Sequence, residues 1–466
     1  MERTSTVSIK VARGLMAVLA AVNVLRAMTL PVTLGEAWNY DRFIAPGWHD
    51  ALLKFDINNH VLNTLLSRTS SAHFHLTELS LRLPSLLFGM LYLWVVYRVA
   101  RRFGSGPVFL MVVALLTLNP MVLDGMSEAR GYGMGLALLM WAMELMVEWA
   151  EGVSAGKLKS GKLKSGKFNL AAVFLGLSVV ASLAFVVPAV ALGVVFLAWS
   201  NGWGGVNQRQ GQGIGFGLAA FLTAFVFLVI PIDHIEPGTF LEGATSLRQT
   251  LNSMTISSLG TSLSIVAATV RAGMALLAMA GAVAAGVMWR RRAGGLVVLS
   301  GGTLALSLVI LLAAHRWVHS RFPEGGSVYL IPLCTLLVTA LILKWKHKAV
   351  QIAFYVVGVL LIGRYVSEVD FHGYGAGREF AGGRALAKAL RADAGTRAVR
   401  IGVSEGAEPI VNYYRTRLRQ GNWERIERKP LAGIYEYYVL AGADRALVEQ
   451  RHLHVLYQDT SLTLAQ

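Results

Sequence analysis

The sequence predicts an all-α polytopic membrane protein with about 11 transmembrane or half-membrane helices at roughly 20 residues per crossing. A small α/β domain follows at the C-terminal end. Three observations carry that prediction. The 466 residues are 55% hydrophobic and 15% charged, against roughly 25% charged in a soluble globular domain. Runs at 107–123, 214–231, 263–287 and 294–314 are nearly free of charge and long enough to cross a hydrocarbon core. Basic residues cluster at alternate ends of the runs.

The formal net charge of +16 would point to nucleic acid in a soluble chain. Here the Lys and Arg residues sit at the ends of apolar runs and read as topology determinants, so no nucleic-acid partner is expected. The lone Cys334 lies within an apolar run and has no intrachain disulfide partner.

Lys10 and Arg13 precede an apolar stretch at 15–34. A signal peptide would be shorter and end in a small-x-small cleavage site, so a retained first helix is the simpler reading. With the N-terminus in the cytoplasm, nearly every cytoplasmic connection is rich in Lys and Arg. The basic runs are Arg98 to Arg102, Lys157 to Lys167, Arg290 to Arg292 and Lys344 to Lys348. That alternation requires 169–200, which has Ser182 and Pro188 near its middle, to form a hairpin of two short helices. The repeat from Gly156 to Lys167 reads as a solvated basic linker near anionic headgroups.

A transmembrane domain at 1–365 is therefore expected, with an extracytoplasmic loop at 35–81. Shorter loops on the same side lie near 124–131, 232–261 and 315–326. A small extracytoplasmic α/β domain is expected at 366–466, with strands at 399–403 and 434–440 and helical patterns at 404–418 and 444–451.

The chemically suggestive residues fall in these loops. Glu36, in Gly35-Glu36-Ala37-Trp38-Asn39-Tyr40-Asp41, emerges just past the first span and either serves as a general base or marks a helix end. Asp56, Asn58, Asn59 and His60 either orient hydroxyl groups or cap a helix. Arg82 either snorkels or meets a ligand, and Pro84 fits the first turn of the second span. Asp124, Glu128 and Arg130 share a short loop, where Arg130 either pairs with Glu128 or binds an interfacial phosphate. Arg316 and Arg321 stand against the usual charge bias of that side, calling for an anionic ligand or a structural acid such as Glu324. Asp233, His234 and Glu236 are metal-ligand types at a spacing that compels no site.

Four of these segments together resemble the membrane-embedded GT-C glycosyltransferases, particularly the protein O-mannosyltransferase and aminoarabinose-transferase-like group. They are Glu36-Ala37, Asp56-x-Asn58-Asn59-His60, Arg82-Leu83-Pro84-Ser85 and Ser127-Glu128-Ala129-Arg130-Gly131-Tyr132. The resemblance covers the first third of the chain. Beyond it the span count, the basic loop before Tyr329-Leu330-Ile331-Pro332 and the C-terminal domain agree.

The resemblance implies inverting transfer of a sugar from a polyprenyl-phosphate carrier to an envelope glycan, lipid or protein hydroxyl, in a bacterial cytoplasmic membrane. It implies Glu36 as base with Asp41 or Asp56 as substitutes, and Arg130, Arg316 and Arg321 on the donor phosphate. Asn59, His60, Arg82, Glu128 and Tyr132 would bind substrate. The family's acidic motif is commonly Asp-Glu, where this chain has Gly35-Glu36. No nucleotide is called for, and the only cofactor left open is a divalent metal ion helping to hold the phosphate. Two other readings are a lipid-linked-sugar transporter and a membrane anchor for the C-terminal domain. Transporters place ionisable residues nearer mid-membrane.

Overall fold

The computed structural model describes residues 6–54, 56, 58–104, 106–154, 161–200, 206–233, 243–291, 294–345, 347–375, 380–427, 431 and 433–466. The helices in chain order are α1 (Thr6–Thr29), α2 (Leu34–Asn39), α3 (Trp48–Leu53), α4 (Val61–His73), α5 (Glu78–Ala100), α6 (Gly106–Thr117), α7 (Pro120–Ser127), α8 (Tyr132–Ser154) and α9 (Gly161–Ala181). They continue as α10 (Val186–Ser200), α11 (Val206–Asp233), α12 (Leu247–Leu259), α13 (Ser264–Arg290), α14 (Gly295–Val318), α15 (Leu330–Lys344) and α16 (Lys348–Ser367). The tail adds α17 (Gly383–Ala394), α18 (Glu408–Arg417) and α19 (Leu447–Gln450).

Among the described residues, nine helices are long and apolar enough to cross a membrane. The bent pair α6–α7 makes up to ten if it is one span, and Gly166–Ala181 is a shorter apolar helix at the position of an expected half-crossing. The chain is thus a multi-pass membrane protein of the expected all-α class.

The expected hairpin at 169–200 is there. Helix α9 ends before Ser182, a 3-10 turn covers Leu183–Phe185, and α10 returns. Phe168 near the start of α9 and Phe196 near the end of α10 have ring centroids 5.7 Å apart, so the two helices run antiparallel.

The third run departs from expectation. It breaks at Asn119-Pro120 with a 60° bend. Asn119 caps α7 by accepting from the Met121 N–H, and Pro120 fills the first helical position, where its missing N–H costs nothing. Asp124 consequently sits on a helix and not in the expected loop.

Pro84 also lies elsewhere than expected. Helix α5 already starts at Glu78, with a capping box between Thr77 and Ser80, so Pro84 falls in its second turn. There the ring removes the bond to the Ser80 carbonyl. The Ser70 hydroxyl of α4 supplies that carbonyl with a donor at 2.5 Å, and Ser67 does the same for Leu81 at 2.8 Å. These two hydroxyl donors tie α4 to α5 at the proline.

The C-terminal domain holds a four-stranded sheet of order β1-β2-β4-β3, with β1 (Ile401–Val403), β2 (Tyr437–Ala441), β3 (Val455–Gln458) and β4 (Leu462–Ala465). The β1–β2 pair is parallel and the other two pairs are antiparallel. The expected strands β1 and β2 are present, shorter than the expected ranges. Helices α4, α12 and α17 and strands β3 and β4 were not foreseen.

The domain's core is continuous with the first loop. Leu386, Ile410, Tyr413, Tyr414 and Val439 pack in one cluster with Val32, Ala37, Tyr40, Ile44, Leu81 and Ala129. This burial seats the sheet domain on the end of the bundle that carries α2.

Candidate active site

The short helix α2 starts with a capping box. Thr33 Oγ1 accepts from the Glu36 N–H, and Glu36 Oε2 accepts from the Thr33 N–H. That geometry turns the Glu36 carboxylate inward, against Arg82 of α5. Arg82 Nε donates to Glu36 Oε1 at 2.8 Å and Nη2 to Oε2 at 2.6 Å, and both side chains are 0% exposed. The Ala129 N–H adds a fourth donor at 2.8 Å. Arg82 also donates to the carbonyls of Ala27, Leu30 and Pro31 at the end of α1. One buried ion pair therefore joins α1, α2, α5 and the loop after α7. Burial pushes the Glu36 carboxyl upward, but the Arg82 charge and hydrogen bonds and the two backbone donors hold it below the ordinary carboxylate range.

The loop after α7 places Glu128 and Arg130 beside this pair. Glu128 is buried and accepts from Thr33 Oγ1 at 2.9 Å. Burial raises its carboxyl to about 7, against the attraction of Arg130 and with added repulsion from Glu36. The Arg130 guanidinium lies 5.2 Å from the Tyr132 ring centroid and against Gly35, where a Cβ would meet its Nε at 2.7 Å. Gly131 has φ +70°, and a Cβ there would strike the Ala181 carbonyl oxygen at 2.2 Å, so only glycine lets the loop pass between α4 and α9.

His60 packs edge-on to Tyr132 with ring centroids 5.0 Å apart. It is 2% exposed, and neither ring nitrogen has a hydrogen-bond partner. Burial and then the Arg130 charge push its pKa down to about 3, so it stays neutral near pH 7. Asn63 reaches both sides of the cluster, donating to the Ala129 carbonyl at 2.9 Å and accepting from Ser85 Oγ at 3.1 Å.

The structure thus brings Glu36, Arg82, Glu128, Arg130, Tyr132 and His60 together. Other candidates lie apart. Asp41 faces the sheet domain, 3.3 Å from Asn412 Nδ2 and 3.4 Å from Arg425. Asp56 accepts from the Asn58 N–H and lies 3.8 Å from Arg42. The Asn59 amide donates to the carbonyls of Ala51 and Lys54 and shapes the loop itself.

Arg316 is exposed near the end of α14, and Arg321 is half-buried. Among the described residues neither makes a hydrogen bond or ion pair to the cluster. The chain four residues beyond Arg321 does reach it, since a Cβ at Gly325 would lie 3.0 Å from the Tyr132 ring. His234 and Glu236 and the Asp233 side chain lie outside the described residues. Among the described residues no group of three or more His, Cys, Asp or Glu side chains is placed to hold a metal ion.

Sequence reasoning missed Tyr374. Its buried ring lies 4.8 Å from the Arg82 guanidinium and 5.0 Å from that of Arg26, within cation–π range of both. Arg26 in turn pairs with Asp124 at 2.6 Å. A lone aromatic in a tail carries no periodic signal that would reveal this. The Thr33 to Glu36 capping box, by contrast, was readable as Thr-x-x-Glu ahead of a helix.

The transmembrane bundle with a small sheet domain seated on one end makes the chain a polytopic membrane protein, and its fold is similar to that of solved membrane glycosyltransferases. Solved structures with this fold include ArnT from Cupriavidus metallidurans in the apo state, at 12% identity and a TM-score of 0.59 over 97% of each chain. The same protein bound to undecaprenyl phosphate aligns at 13% identity and a TM-score of 0.58, again over 97% of each chain. The arabinofuranosyltransferase AftD from Mycobacteria aligns at 14% identity and a TM-score of 0.50, over 100% of this chain and 42% of that one. No protein-family model and no curated protein matches the sequence.

Proposed function

We propose that this chain is an integral-membrane inverting glycosyltransferase, taking a sugar from a polyprenyl-phosphate carrier and giving it to an extracytoplasmic hydroxyl on a lipid, glycan or protein. The observation that carries the proposal is the juxtaposition of a buried carboxyl raised to about 7, Glu128, with the Arg130 guanidinium. It occurs in a fold shared end to end with a structure whose bound ligand is undecaprenyl phosphate.

In this reading the acceptor hydroxyl loses its proton to the Glu128 carboxylate as its oxygen attacks the anomeric carbon. The bond from that carbon to the phosphate oxygen breaks, and polyprenyl phosphate leaves with the electron pair. Arg130 offsets the charge that builds on the phosphate, with Arg321 and Arg316 following along the neighbouring loop. His60, neutral and with both ring nitrogens unpartnered, orients an acceptor or sugar hydroxyl. Tyr132 shapes the wall between them.

Glu36 is the base that the sequence favours. The four donors on its two oxygens support a positioning role instead, so the proton-acceptor role passes to Glu128. Asp41 and Asp56 lie farther from the arginines and remain substitutes. The basic connections support a cytoplasmic N-terminus and a sheet domain outside a bacterial cytoplasmic membrane.

The test is transfer by full-length protein in proteoliposomes supplied with a panel of radiolabelled polyprenyl-phosphate sugars and envelope acceptors. Release of free polyprenyl phosphate with label on the acceptor is expected. Movement of label across the bilayer with no change of chemical form would establish a transporter instead.

A further inference from the structure

A cavity at the opposite end of the bundle belongs to none of this chemistry. Arg102, in the 3-10 turn that extends α5, lies roughly 30 Å along the helix axis from Arg82, at about 1.5 Å rise per residue. It lines a cavity of about 320 Å³ together with Phe103, Trp199, Leu296, Leu343 and Lys344.

The charges around it divide into two groups. Arg98, Arg102 and Lys167 are matched by Glu144, Glu148 and Glu151, with Arg102 at 2.8 Å from Glu144 and Arg98 at 2.6 Å from Glu148. Lys344 has no such match among the described residues. Its ammonium rests against Gly294, where a Cβ would meet Nζ at 2.8 Å, and beside Met288 Sδ. Arg291 adds a second positive charge within electrostatic reach. Helix α14 opens in the same cavity, with Gly294 in a left-handed conformation and no side chain capping its N-terminus, which adds partial positive charge.

Glu151 also lines the cavity, where its carboxylate is paired with Arg102, and the remaining walls are apolar, from Phe103, Leu296, Val297, Ala340 and Leu343. Outer faces of the neighbouring α13 and α16 expose Val283, Val287, Ile352 and Val356, as lipid-facing helices do. A free inorganic anion would gain nothing from these walls. A headgroup phosphate with attached chains would use both parts.

We propose that this cavity holds the phosphate headgroup of an anionic membrane lipid, with Lys344 as its main cationic contact and its acyl chains running out between the apolar helices. The basic runs at this end mark it as the cytoplasmic side, where anionic lipid is concentrated. The site goes beyond the transfer reaction and does not depend on it.

The experiment is native mass spectrometry of the full-length protein in detergent, titrated with phosphatidylglycerol, with phosphatidylcholine, and with phosphatidylglycerol plus equimolar inorganic phosphate. The expected result is one retained phosphatidylglycerol, little phosphatidylcholine and no displacement by inorganic phosphate. Lys344→Gln should weaken retention roughly fivefold, the effect of one cation near a lipid phosphate, while Lys344→Arg keeps it. Equal retention by wild type and Lys344→Gln would overturn the proposal, as would equal retention of the two lipids. Displacement by inorganic phosphate would replace it with a free-anion site. Lys344 is exposed, so its replacement leaves the fold intact, and an unchanged melting temperature verifies this.

Discussion

Gly35 packs directly against Arg130, so closely that the smallest side chain at position 35 would come within 2.7 Å of the guanidinium Nε. The Arg130 side chain takes the space that any side chain at position 35 would occupy. The absent Cβ therefore sets where Arg130 points.

Gly35→Ala should displace the Arg130 guanidinium and weaken binding of polyprenyl phosphate about tenfold, comparable to losing one charge-assisted hydrogen bond. Arg130 is only half-buried and has room to swing, so the melting temperature should barely move. Unchanged lipid-phosphate affinity in the variant, by thermophoresis in detergent, would show that Arg130 needs no help from Gly35.

Glu36→Gln should act on stability. The substitution leaves the Arg82 charge buried with half its partner gone and aims an N–H₂ group at existing donors. Breaking a fully buried pair in this way costs about 3 kcal/mol or more. Lower melting temperature and lower yield of folded protein are expected, with Glu36→Asp intermediate. A variant that melts like wild type yet transfers no sugar would return the base role to Glu36.

Glu128 carries the pH dependence. Its carboxyl is raised to about 7, so a base role requires transfer to climb as pH rises through 7 and to level off above it. The stability sign is opposite. The folded state holds this proton more tightly than the unfolded chain, where an ordinary value is 4.5, so stability falls as pH rises from 4.5 to 7. Glu128→Gln should remove both features, with low transfer at every pH and higher melting temperature than wild type above pH 7. A wild-type pH profile flat between 6 and 8 would rule Glu128 out as the base.

The bundle was legible because lipid imposes one pattern on every crossing: charge-free runs, with cations at one end. Even the hairpin at 169–200 followed from charge alternation and from Ser182 and Pro188. The bend at Asn119-Pro120 has an equally local signal, hidden inside an otherwise apolar run. The site was less legible, because an interfacial acid that caps a helix and one that takes a proton share the same sequence. The burial of Glu36 and the four donors on it exist only after α1, α5 and the loop at Ala129 have converged. Partners hundreds of residues apart leave no local trace. Tyr374 between two arginines is one case, and the contact of Glu78 with Arg384 and Arg417 is another.

That last contact predicts how the sheet domain is held. Glu78, 1% exposed at the start of α5, meets Arg384 of α17 at 2.8 Å and Arg417 of α18 at 2.7 Å. Arg384 also donates to the carbonyls of Thr29 and Leu30 at the end of α1, and the Tyr414 hydroxyl lies between Glu78 and the Val32 N–H. Glu78→Gln would leave two guanidiniums facing a neutral amide, at a cost of about 3 kcal/mol. Because the domain shares its core with Val32, Ala37 and Tyr40, loosening it should loosen α2 as well. Hydrogen exchange on the full-length variant should therefore show faster amide exchange in both 380–420 and 32–44, with α13 and α14 unchanged. Faster exchange in 380–420 alone would mean that α2 is held by the Glu36–Arg82 pair independently of the domain above it.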